Sequence, residues 1–76
     1  MRTLRFHHDL YSARAIEEAC ESFENHAKIT VRQELPYFEL ELTALGSADE
    51  AVLAGEFGNF ALALTAEEKR GGAAKD

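Results

Sequence analysis

Apolar residues in this chain recur at every second position, then at every third or fourth, then at every second twice over, then at every third or fourth again, and few folds accommodate that order in 76 residues. Thr3-Leu4-Arg5-Phe6-His7-His8 alternates, with Leu4, Phe6 and His8 on one face and Thr3, Arg5 and His7 on the other, which predicts a half-buried strand. Ser12 then stands where an N-cap belongs, with Tyr11 and Ile16 placed for a hydrophobic staple. From Ala13 to about Asn25, Ile16, Ala19, Cys20 and Phe23 form one helical stripe, while Glu17, Glu18, Glu21 and Glu24 occupy the other side. Two alternating runs follow, Ile29 and Val31, then Phe38, Leu40 and Leu42, with Glu34-Leu35-Pro36-Tyr37 between them. Pro36 fixes its own φ and disfavours helix at Leu35, so this link predicts a turn between antiparallel strands; the isomer of the bond before Pro36 is left open.

After Gly46, Ser47-Ala48-Asp49-Glu50 has the form of a capping box, and Leu53, Phe57, Phe60 and Leu64 continue as the stripe of a second helix. Gly55 and Gly58 weaken that helix by about 1 kcal/mol each relative to alanine, a cost that close packing or an approaching partner would explain. The expected fold is α+β, in the order strand, helix, strand, strand, helix. It has three antiparallel strands with two helices on one face, and it resembles a ferredoxin-like unit lacking its last strand. On that analogy the third strand is central, because the right-handed crossover leaves a gap between the first two. Residues 1–70 form one compact domain, and 71–76 read as a disordered tail.

A chain this short buries only about 60% of the surface its unfolded form exposes, so its core is thin and extra burial against a partner is valuable. The formal charge of −6 offers no cationic footprint for nucleic acid and disfavours an anionic membrane, but it can steer a basic partner. No apolar run approaches the roughly 20 residues of a membrane span, and the amino terminus alternates instead of forming a signal-peptide core. One cysteine excludes an internal disulfide and any cysteine-ligated cluster, so a cytoplasmic setting is expected.

His7, His8 and Asp9 are the one cluster of metal-capable side chains, but alternation points the two imidazoles to opposite strand faces unless the strand ends there, and no metal is expected. Cys20 lies on the helical stripe as a small hydrophobe, with no cation beside it in sequence to favour the thiolate. The acidic helix face lacks the sheltered cleft that acid and base catalysis needs. No phosphate loop, Ser-His-Asp pattern or HExxH is present, so neither a catalytic residue nor a cofactor is assigned. The residues assigned to partner contact are Arg5, His7, Tyr37 and Asn59: the first three on the helix-free strand faces, the last at the boundary of the second helical stripe.

Phe6, Leu10-Tyr11-Ser12, Ala15-Ile16, Ala19-Cys20, Phe23, Ala27-Lys28-Ile29-Thr30-Val31 and Glu56-Phe57-Gly58-Asn59-Phe60-Ala61-Leu62 together resemble the HxsD-like family of His-Xaa-Ser systems, over nearly the whole ordered chain. Those motifs are mostly packing residues. The resemblance implies a noncatalytic accessory protein of peptide maturation, whose partner is a radical S-adenosylmethionine enzyme or its peptide substrate. His7-His8-Asp9 is not a His-Xaa-Ser repeat, so the chain does not resemble the substrate itself. Partner capture or self-association by strand addition is expected at the first strand. The alternative reading is a small homo-oligomeric structural or ligand-binding domain.

Overall fold

The computed structural model describes residues 1–75, with side chains through Arg70. Its elements are β1 (Arg2–His7), α1 (Ala13–Phe23), β2 (Ala27–Glu34), β3 (Tyr37–Ala44) and α2 (Glu50–Lys75). The sheet order is β1-β3-β2 with both pairings antiparallel, so the third strand is central as the crossover argument required. The Leu35–Pro36 bond is cis.

Register shows how alternation becomes a layer. Leu4 pairs with Leu40 and Phe6 with Phe38 across β1 and β3, while Ile29 pairs with Leu42 and Val31 with Leu40 across β2 and β3. These residues form the helix-facing side of the sheet. Phe38, Leu40 and Leu42 are buried there with Ile16 and Ala19 of α1 and Leu53, Phe57 and Ala61 of α2. Phe57 is the hub: its ring stacks on Phe6 at 5.9 Å and meets Phe23 edge-on at 5.5 Å.

Ser12 caps α1 as expected, its hydroxyl accepting from the Ala15 amide at 3.0 Å, and Tyr11 packs beside the core with its ring 4.6 Å from that of Phe6. The start of α2 differs from the expected capping box. Asp49 is the cap, its Oδ1 accepting from the amides of Ala51 at 2.8 Å and Val52 at 3.3 Å. Glu50 does not reach back to Ser47; its carboxylate accepts from the Ala44 amide at 3.1 Å and meets the Met1 ammonium at 3.0 Å. Gly46 takes a left-handed φ of 67° in the β3–α2 turn, and the cap lies at Asp49, two residues beyond Ser47.

The inner stripe of α2 also differs from its expected membership. Leu53, Ala54, Phe57, Ala61 and Thr65 are buried, whereas Phe60 is 37% exposed at the rim and Leu64 is half-buried. Phe23, assigned to the core of α1, is half-buried too and bridges Phe57 and Phe60. The backbone of α2 continues past Arg70 to Lys75, where the sequence pattern predicted a tail at 71–76; Asp76 and the side chains of 71–75 lie outside the described residues.

Candidate partner-binding surfaces

The helix-free face of the sheet carries the polar halves of the three strands in rows. Thr3, Glu41 and Thr30 form one row, Arg5, Glu39 and Arg32 the next, and His7, Tyr37 and Glu34 the last. Arg32 holds Glu39 through a short ion pair and also meets Glu34 at 3.3 Å. With Glu39 taken by Arg32, the Arg5 guanidinium lies over the Tyr37 ring at 4.6 Å. His7 meets the same ring edge-on at 5.3 Å. Three of the residues assigned to partner contact, Arg5, His7 and Tyr37, are thus one cluster at one end of this face. Asn59 is not part of it: it sits exposed on the outer side of α2.

The outer side of α2 is unusually apolar for a solvent-facing helix. Val52 is 56% exposed and Leu62 46%, and Ala51, Gly55, Ala63 and Ala66 lie exposed around Asn59. Between Ala51 and Ala66 Glu56 is the single charge, so this helix has apolar residues all round, a pattern ordinarily associated with burial on more than one side. Among the described residues no contact requires a glycine at Gly55 or Gly58. A Cβ at Gly55 would meet nothing within 4 Å, and one at Gly58 would reach the Phe6 ring at an ordinary 3.7 Å.

His7, His8 and Asp9 are brought closer than strand alternation predicted. The strand ends at His7, so the two rings come to lie on the same side, stacked at 5.2 Å, and candidate ligand atoms of all three residues fall within 4.8 Å of one another. His7 Nδ1 accepts from the Asp9 amide at 3.1 Å, and the Nδ1 atoms of His7 and His8 lie 3.7 and 3.5 Å from the Asp9 carboxylate.

A further surface was missed in the sequence. α1 leaves part of β2 uncovered, and an open groove runs between them along the strand. Its upper part, of about 560 Å³, has Ile16, Ile29, Val31 and Phe38 as floor and Glu17 and Glu21 on the helix wall. Its lower part, of about 520 Å³, continues past Cys20 to Glu24, Ala27, Leu45 and Lys28, the one cation of its lining. Cys20 is half-buried in the middle of the wall, and its thiol pKa is raised by burial first and by the nearby Glu17 and Glu21 carboxylates second. The available signal was arithmetical: two helices stand over three strands, and Val31 is an apolar position on a strand at the edge of the sheet.

Among the described residues no helix is long and apolar enough to cross a membrane. Compared with protein-family models, curated proteins and solved structures, the chain matches none.

Proposed function

We propose that this chain is a noncatalytic accessory module that binds an extended segment of a partner, and that the partner is a radical S-adenosylmethionine peptide-modifying enzyme or its peptide substrate. The observation that carries the binding reading is the sheet itself: β1 and β2 are both outer strands, each with one side unpaired, in a domain with a thin core. An unpaired edge offers backbone donors and acceptors to a further strand, and such addition derives affinity from the main chain and selectivity from flanking side chains. At the β1 edge those flanking groups are Arg5, His7 and Tyr37. The radical-enzyme assignment rests on the family resemblance in the packing motifs.

Isothermal titration of the full chain with any radical S-adenosylmethionine enzyme and short peptide found encoded beside it tests this reading. Saturable binding to either supports it, and an absence of heat with both at concentrations up to about 100 µM, near the weak end of useful recognition, contradicts it.

The outer face of α2 favours a second reading, self-association through Val52, Gly55, Asn59 and Leu62. Light scattering over a concentration series separates the two, because a dimer built on α2 forms without any partner and weakens when Leu62 is replaced by Glu.

A further inference from the structure

We propose that the groove between α1 and β2 is the docking site for a strand-forming segment that carries lysine or arginine at every second residue, with those side chains facing α1, the segment pairing with the free edge of β2. This rests on the binding-module reading and specifies the edge and the chemistry of its occupant.

Three observations converge. The edge of β2 is unpaired over eight residues, a length of roughly 26 Å, so a partner strand has a full ladder to join. Beside it the groove floor is apolar at alternate strand positions, Ile29 and Val31, with Val31 42% exposed; a strand added there would place every second side chain against α1 and cover them. The wall opposite carries Glu17, Glu21 and Glu24, and among the described residues none of the three is in a salt bridge, whereas Glu18 on the outer side pairs with Arg14 at 3.4 Å. An acidic rim above an apolar floor selects lysine or arginine at the helix-facing positions, whose aliphatic stems cover the floor while their charged heads reach the rim, and the chain's charge of −6 draws such a partner in. The groove is long and open along one side, which suits an extended segment better than a small molecule, whose sites enclose most of the ligand.

The test uses the full chain and end-blocked eight-residue peptides. One alternates valine and lysine, a second has glutamate in place of lysine, and a third is the lysine peptide N-methylated at alternate residues to remove ladder donors. The lysine peptide should bind, with the glutamate and N-methylated forms each at least about tenfold weaker, and new amide protection should fall in residues 27–34. Glu17→Gln combined with Glu21→Gln should weaken the lysine peptide about tenfold at low salt and flatten its salt dependence. Val31→Lys should abolish binding by placing a like charge on the floor; Glu17, Glu21 and Val31 are all exposed, and circular dichroism confirms the fold of each variant before titration. Equal affinity for lysine and glutamate peptides overturns the proposal. Protection in residues 2–7 with none in 27–34 overturns the groove assignment while leaving the binding-module reading standing. Failure of every peptide, together with failure of the enzyme and its peptide substrate to bind, removes both.

Discussion

The backbone N–H of Ser12 donates to Thr65 Oγ1 at 3.1 Å, so the last helix holds the residue that starts the first one, 53 positions away in sequence. Thr65 is buried, and its hydroxyl also donates to the Ala61 carbonyl at 2.9 Å. The Ser12 hydroxyl in turn caps α1 and meets Glu68 at 2.8 Å. Helix start and helix partner are thereby one unit.

Thr65→Val keeps the shape of the side chain but leaves the Ser12 amide without its acceptor. The expected loss is about 1–3 kcal/mol, with faster amide exchange through the first turn of α1, and Thr65→Ser should recover most of it. Urea denaturation of the three proteins checks the order.

The aromatic cluster should show a gradient. Phe57→Ala should cost about 3–5 kcal/mol because the ring is fully buried and contacts Phe6 and Phe23. Phe23→Ala should cost less and Phe60→Ala least, in step with their exposure. Equal losses at all three in equilibrium denaturation would contradict this packing.

The strand and helix order was legible because it depends on local periodicity: Leu4 and Phe6, Ile29 and Val31, and Leu40 and Leu42 each lie two residues apart and each pair faces the helices. What was not legible depends on direction and reach. Ser47 and Asp49 are both capping residue types, and local sequence does not choose between them; the structure has Asp49 as the cap. Phe60 satisfies the helical spacing but falls on the rim, because the width of the buried stripe is set by how closely α1 and the sheet approach α2. The groove beside β2 has no motif at all; it exists because α1 stops short of covering the edge strand. Arg5, His7 and Tyr37 could be placed on one face from alternation, whereas their meeting at one ring follows from the β1–β3 register.

Gly55→Ala should stabilise the isolated chain by about 1 kcal/mol, since a methyl group there meets nothing and the helix gains the better former. Gly58→Ala should do nearly as well, its new methyl lying in van der Waals contact with Phe6. Thermal unfolding at low protein concentration checks both, and a loss at Gly55 would show that its backbone is already approached closely.

Cys20 should alkylate more slowly than a free thiol at pH 8, because its raised pKa leaves less thiolate at that pH. The same shift means that stability present below the ordinary thiol pKa is lost as pH rises through the higher folded value. Glu17→Gln with Glu21→Gln should speed the reaction by removing the two like charges, and an unchanged rate would leave burial as the whole cause.

Amide exchange resolved by residue, with and without the proposed partner, a radical S-adenosylmethionine enzyme or its peptide, tests the central claim most directly. In the free chain, β3 should be protected along both sides, while β1 and β2 show protected amides only where they face β3. Adding the partner should extend protection to the outer amides of one edge strand and leave the other edge unchanged. Tight binding that adds no protection in either residues 2–7 or residues 27–34 would contradict recognition through the sheet edge.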